Sequence, residues 1–351
     1  MQPTDITDFK HFIRLIGRGQ RAGRTLTMQE AQQAMTILIN GQATPEQKGA
    51  FLMLLRVREE TPEELAGFTL AFRARTVPEL SGLKVDLDMG CYAGKRRHLP
   101  WFLLAALLLA KSGQRVFLHG THEPDSNRLY LQEVLPQLGL SVASNVRQAQ
   151  HDLQQFGLAY MDLRNINPAL DDLIQLREQF GLRSCANTLA RMLNPSQASH
   201  SLQGVFHRNV DEKHRHTACL LNEPNVLCFR GEGGELEFNP ERDVCLHIAR
   251  QGQAQCVELG ATADSWAIKP KVLDVRQMID VWQGDRHDTY AHHAIVGSLA
   301  IMLILSAQLS REDAYLQAEQ MWQQRNQQWP LPLAANMAVV PFSTEGKFYA
   351  H

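Results

Sequence analysis

The chain has 351 residues, 44% of them hydrophobic and 21% charged, with a net charge of −2. That composition excludes wholesale disorder and leaves room for a large core in one or two domains. The net charge itself selects no partner, but residues 1–120 hold 16 Lys+Arg against 11 Asp+Glu, and the remainder 19 against 26. Screening confines such fields to roughly 8–10 Å, so a locally basic surface on a nearly neutral protein can bind polyanions.

The first 76 residues predict helices only. Phe9, Phe12, Ile13 and Ile16 mark one face of a helix over 8–17. Thr27 with Glu30, then Thr44-Pro45-Glu46 and Thr61-Pro62-Glu63-Glu64, are three further starts, each a capping threonine, two of them with proline at the first helical position. From residue 77 strand-like runs (83–88, 114–119, 158–161, 226–229, 244–248) alternate with helical stretches (99–111, 127–138, 146–156, 169–180, 210–221). The alternation predicts a largely parallel sheet with helices on both faces. Residues 235–238 and 255–258 suggest an antiparallel extension, and 273–283, 289–308 and 312–327 closing helices. The expected fold class is α/β, with a small N-terminal helical subdomain (1–76, joined by helices near 169–195) and a larger α/β domain (77–351).

The polar N-terminus Met-Gln-Pro-Thr-Asp is unlike a signal peptide, and the apolar runs 99–110 and 294–305 fall short of the roughly 20 residues that span a bilayer. Six cysteines (Cys91, Cys185, Cys219, Cys228, Cys245, Cys256) without a Cys-x-x-Cys suit reduced thiols and give no zinc framework. The expectation is a cytoplasmic protein with no membrane partner.

The segment 86–98, Asp-Leu-Asp-Met-Gly-Cys-Tyr-Ala-Gly-Lys-Arg-Arg-His, joins a predicted strand to an apolar helix. At such a junction bare amides and a helix N-terminus commonly hold phosphate. Here three consecutive cations, Lys95, Arg96 and Arg97, and bulky Tyr92 favour contact through side chains, and so a polyanion over a caged diphosphate. Residues 41–67, from Gly41-Gln-Ala-Thr-Pro-Glu through Leu-Ala-Gly67, resemble the N-terminal helices of anthranilate phosphoribosyltransferases. Val85-Asp86-Leu87 is similar to the family's first strand, His119-Gly120-Thr121 to its second strand end, and Gly181-Leu-Arg183 through Asn194-Pro195 to the segment bearing the anthranilate-contacting arginine.

The resemblance implies a nucleoside phosphorylase/phosphoribosyltransferase-like fold, dimerisation through the helical subdomain, and a phosphoribosyl pyrophosphate cleft. It breaks at the catalytic positions. Gly90-Cys-Tyr-Ala-Gly94 stands where the family has Gly-Thr-Gly-Gly-Asp, and Gly231-Glu232-Gly-Gly-Glu235-Leu-Glu237 where it has the magnesium-holding Asp-Glu pair. Tyr92 to Arg97, Ile16-Gly-Arg-Gly19 and His207-Arg-Asn resemble a divergent YbiB-like branch, whose members are regarded as dimeric nucleic-acid-binding proteins.

These readings combine into one expectation: a homodimeric, non-sequence-specific nucleic-acid-binding protein that contacts phosphates through basic side chains. Its candidate contacts are Lys10, Arg14, Arg18 and Arg21 on one helical stripe, with Arg24 extending the basic run, Tyr92, Lys95, Arg96 and Arg97 in the loop, and Arg208, Lys213 and Arg215 at a helix start. Tyr92 favours single strands if exposed, by stacking on bases. The residual cleft comprises Gly90, His119, Gly120, Thr121, Asn127, Arg183 and Glu235. No catalytic residue, resident metal or cofactor is assigned; His207, His214 and His216 have the wrong spacing for joint ligation on a helix. The alternative is a glycosyl or phosphoribosyl transferase with an altered substrate, and only it would require magnesium.

Overall fold

A computed structural model describes residues 8–19, 22–124, 126–263, 267–333 and 342–343. Four N-terminal helices form a bundle: α1 (Lys10–Gly17), α2 (Met28–Ile39), α3 (Pro45–Arg58) and α4 (Pro62–Arg73). The last three start with reciprocal caps, in which Thr27, Thr44 and Thr61 accept from the third helical amide and Glu30, Gln47 and Glu64 accept from the cap amide. Glu64 is wholly buried, and its carboxylate also takes the Leu26 amide at 2.8 Å and the Arg58 guanidinium at 2.6 Å. One side chain thus ties α4 to α3 and to the entry of α2. Between α2 and α4 the backbones nearly touch: a Cβ at Gly67 would lie 2.2 Å from the Met28 carbonyl.

The sheet has eight strands: β1 (Leu87–Cys91), β2 (Val116–Gly120), β3 (Val142–Ala143), β4 (Leu158–Asp162), β5 (His200–Val205), β6 (Asn225–Arg230), β7 (Val244–Arg250) and β8 (Gln253–Leu259). Their order is β3-β4-β2-β1-β5-β6-β7-β8. Pairing is parallel through β6 and antiparallel for β7 and β8. Alternation along each strand divides the core. Leu87, Met89, Val116, Leu118, Leu158 and Tyr160 face the helices Phe102–Lys111 and Thr289–Ser306. Phe117, Ala159 and Met161 face the bundle together with the helices Pro168–Gln175 and Ala186–Arg191.

Several elements differ from the sequence expectation. The first strand is Leu87–Cys91 rather than 83–88: residues 83–86 link the short 3-10 turn Pro78–Gly82 to it, and pairing with β2 and β5 begins only at Leu87. Strand β5, at the centre of the sheet, carries polar Ser201 and Gln203 inward and so lacks an apolar run. Residues 235–238 are no strand; they follow a 3-10 turn at Glu232–Gly234 and bury Leu236 and Phe238. The stretch 127–138 is broken by Pro136 into two short pieces. The helix Thr289–Ser306, 18 residues, has the length and composition of a membrane span, yet 78% of it is buried against the sheet and its neighbours. Cys245 and Cys256, expected as scattered thiols, form a disulfide because the β7–β8 hairpin folds them together.

Candidate functional site at the switch point of the sheet

Strands β1 and β5 are neighbours, yet the chain leaves β1 towards β2 and β4 and leaves β5 towards β6 and β7. The crevice at the carboxyl ends of such a strand pair is where open parallel sheets bind ligands. Its walls are the loops after β1 (92–98), β2 (121–124 and 126–130), β5 (206–209) and β6 (231–238), and the segment from Arg183 to Arg191.

The loop after β1 meets carboxylates of the chain itself. Glu235 Oε1 accepts from the Ala93 amide at 2.7 Å and the Gly94 amide at 2.5 Å, while its other oxygen is buried without a partner among the described residues. Burial raises its pKa. Glu237 Oε2 accepts from the Phe102 amide at 3.1 Å, at the N-terminus of the helix that follows the loop. Both anion-binding features of a strand-to-helix junction, the amide nest and the helix end, are thereby occupied from within. Lys95 is 1% exposed, with its ammonium between Glu232 and Glu237, the latter at 2.7 Å. Burial lowers the lysine pKa, but the two carboxylates outweigh it and the net shift is upward. Burial pushes Glu237 to about 7; Glu232 is also buried, yet Lys95 holds it below the usual carboxylate range.

Tyr92 is equally enclosed. Its hydroxyl lies 2.6 Å from His119 Nδ1, His119 Nε2 lies 2.9 Å from Asp88 Oδ1, and Asp88 Oδ2 accepts from Ser196 Oγ at 2.6 Å. With Nε2 donating to the Asp88 carboxylate, Nδ1 accepts from the Tyr92 hydroxyl. This chain lies beneath the crevice floor. Two expected nucleic-acid contacts are therefore corrected: Lys95 is an internal ion pair, and Tyr92 cannot stack on a base. His119, Gly120 and Thr121 likewise belong to the buried floor, with Thr121 bonded to Asp171 at 2.7 Å. Gly90 is needed for space, since a Cβ there would sit 3.2 Å from Arg191 Cα.

Above the floor, arginines outnumber acids. Arg183 donates to Glu123 Oε2 through Nη2 (2.7 Å) and Nε (3.0 Å), and Arg177 and Asn187 bond the same carboxylate. Arg128 is held by the carbonyls of Ala93, Gly94 and Gly233 at 3.1–3.3 Å, and Arg191 by those of Gly204 and Asn187. Burial lowers the pKa of both, which remain cationic. Asn127 is exposed with φ 42°.

The rim carries the accessible chemistry. Arg96 and Arg97, beyond β1, and His207 and Arg208, beyond β5, are exposed. Phe206, the residue between β5 and His207, is 60% exposed and meets the His207 ring edge-on at 5.1 Å. A Cβ at Gly234 would lie 3.1 Å from Phe206 Cβ and 3.4 Å from Ala93 Cβ, so these three loops touch. Sequence reasoning missed Phe206; its signal, an aromatic at a strand end beside His-Arg, was hidden because Ser201 and Gln203 keep β5 from reading as a strand.

The remaining candidates scatter. Lys10 pairs with Asp8 at 2.5 Å, Arg24 with Glu30 at 2.6 Å, and helix α1 ends at Gly17, so Arg18 lies past it and the stripe is no continuous helix. Arg14 and Arg18 are exposed on the bundle, and Arg21 lies outside the described residues. On the helix Val210–Leu220, Lys213 faces Glu59 at 3.5 Å and Arg215 pairs with Glu212 at 3.0 Å. A cavity of about 630 Å³ beside Trp282, Arg325 and Trp329 lies elsewhere, and its indole and guanidinium groups are bonded to neighbouring carbonyls.

Residues 10–76 match the helical bundle domain of a glycosyl transferase family. The anthranilate phosphoribosyltransferase of Dehalococcoides mccartyi strain ATCC BAA-2266 / KCTC 15142 / 195 is 28% identical over 221 residues, 63% of this chain and 64% of that protein. That of Thermomicrobium roseum is 26% identical over 259 residues, covering 73% and 72%. That of Anaeromyxobacter dehalogenans is 32% identical over 212 residues, covering 60% and 63%. The chain thus spans less than two thirds of the length of the Dehalococcoides and Anaeromyxobacter relatives. Among solved structures, the Thermus thermophilus enzyme superposes with a TM-score of 0.70 at 19% identity over 90% of this chain and 94% of that one. The Saccharomyces cerevisiae enzyme in complex with PRPP and Mg gives 0.69 at 14% over 91% and 95%. These two likenesses concern the fold.

Proposed function

From the likeness of this chain to anthranilate phosphoribosyltransferases, we propose a phosphoribosyltransferase-type protein whose switch-point crevice serves the phosphates of a nucleic-acid strand in place of a free diphosphate. One observation carries this reading: Glu235 and Glu237 occupy the amide nest and the helix N-terminus at which a diphosphate would otherwise be held. Arg96, Arg97 and Arg208 remain accessible on the rim, with Phe206 as a stacking surface. Phosphate contacts carry affinity without base information, so binding is expected to be indifferent to sequence, with single strands favoured through Phe206.

Magnesium does not fit the acidic cluster as it stands. The Lys95 ammonium already lies between Glu232 and Glu237, the place a divalent cation would need.

The second reading, glycosyl or phosphoribosyl transfer with an altered substrate, is the one favoured by the named relatives and by the arginine-rich wall around Arg183. It requires Glu235 and Glu237 to leave the positions described. A salt series with unrelated single-stranded and duplex oligonucleotides, run beside calorimetry with phosphoribosyl pyrophosphate and magnesium, separates the two. Steeply salt-dependent oligonucleotide binding without a diphosphate signal supports the first reading. Binding of phosphoribosyl pyrophosphate with none of the oligonucleotides would replace it with the second.

A further inference from the structure

The hairpin of β7 and β8, away from the crevice, brings together three groups with metal-ligand chemistry. His247 stands directly opposite Cys256 in the antiparallel register, and Cys245 precedes His247 by two residues on the same face. One ligand atom from each of Cys245, His247 and Cys256 lies within 4.8 Å of the other two. The two sulfurs are joined as a disulfide. Strand β8 is the outer edge of the sheet, and Cys256 on it is exposed, so an ion can reach the cluster from solvent.

The histidine points to a ligand independently of the cysteines. Its Nε2 lies 3.6 Å from Asp211 Oδ2, on the helix Val210–Leu220 packed beneath the hairpin. Its Nδ1 is buried and has no hydrogen-bond partner among the described residues. A carboxylate at one ring nitrogen and an unpartnered nitrogen on the other side is the arrangement that orients metal-bound imidazoles. Asp211 is itself held near Arg230 at 3.7 Å.

We propose that, once the Cys245–Cys256 disulfide is reduced, Cys245, Cys256 and His247 bind a zinc-like divalent cation, with Asp211 positioning the imidazole. Two thiolates and one imidazole form the donor set that selects such an ion over magnesium or calcium, and a water completes a tetrahedral shell. Reduction by a phosphine breaks the sulfur–sulfur bond and consumes one water, leaving two cysteine thiols and the phosphine oxide. Metal binding then releases the two thiol protons to solvent.

The test is titration of the reduced, full-length protein with cobalt(II), read by thiolate-to-cobalt charge-transfer absorption. Saturation at one ion per chain is expected, with displacement by zinc. Cys245→Ser and Cys256→Ser should abolish the band, Asp211→Asn should weaken binding about 10–100-fold, and Cys219→Ser should leave it unchanged. Circular dichroism verifies that each variant is folded. Should a cysteine variant fail to fold, alkylation of exposed Cys256 in the folded, reduced wild type replaces it and should also remove the band. A folded, reduced wild type without the band, or a band that survives loss of either thiol, overturns the proposal.

Discussion

Three neighbouring cations in one loop have opposite fates, and the difference is measurable. Lys95 is a buried charge between Glu232 and Glu237, whereas Arg96 and Arg97 face solvent. Lys95→Ala would strand two buried carboxylates and is expected to cost about 3–5 kcal/mol in chemical denaturation. Arg96→Ala with Arg97→Ala should leave stability within about 0.5 kcal/mol while flattening the logarithmic salt dependence of oligonucleotide binding by about 0.7–0.9 for each phosphate no longer neutralised. Equal slopes for wild type and double variant would remove these arginines from the interface. Phe206→Ala should weaken single-strand binding by about 1–3 kcal/mol without lowering stability, since the side chain is largely in solvent. Fluorescence anisotropy against labelled oligonucleotides reads both.

A buried histidine sets a pH dependence. His214 donates from Nδ1 to Gln203 Oε1 at 2.7 Å, its Nε2 is buried without a partner among the described residues, and burial lowers its pKa to about 3. The unfolded chain, with an ordinary histidine, takes up a proton near pH 6.5, before the folded one does. Its contribution to stability is therefore full above about pH 6.5 and falls as the pH drops towards 3, by about 1.4 kcal/mol per unit. Urea unfolding between pH 7 and 5 should show this slope, and His214→Gln should reduce it. A slope identical in the variant would mean that other groups carry it.

At the level of elements, the bundle is governed by contacts closer than side chains permit. Gly67→Ala places a methyl against the Met28 carbonyl and Ala31, so the two helix backbones must shift apart. Separation of α2 and α4 should lower the thermal midpoint by several degrees, whereas Gly82→Ala, with open space around it, should not. A midpoint unchanged by Gly67→Ala would mean that the two helices part without penalty. The caps of these helices were legible because threonine and its third-residue partner lie within one turn. The central strand β5 was not, since Ser201 and Gln203 interrupt its apolar pattern and only β1 and β6 on either side make it a strand.

At the scale of the whole molecule, two of the exposed apolar side chains lie on and beside the bundle. Val57 is 85% exposed on α3, and Leu182, which follows a segment whose Phe180 approaches Gly49 of the same helix, is also exposed. We propose that two copies pair through this surface, which would double the phosphate contacts available to one strand. Val57→Glu should then shift the light-scattering mass from dimer towards monomer and lower apparent oligonucleotide affinity. A monomeric wild type would end that reading.

What the sequence by itself determined was local or periodic: three capped helices, the alternation of strand-like runs with helical stretches, and the basic loop at the end of β1. Segment-level resemblance likewise carried the two-part α/β architecture, because its order is written along the chain. Tertiary structure alone decided which of those features reach solvent. Lys95 meets Glu232 and Glu237 across separations of 137 and 142 residues, Glu235 reaches the Ala93 amide across 142, and the hairpin closes Cys245 on Cys256. Burial and charge pairing arise from such long-range contacts. A cation that looks free in sequence therefore becomes an internal tie when distant carboxylates fold over it.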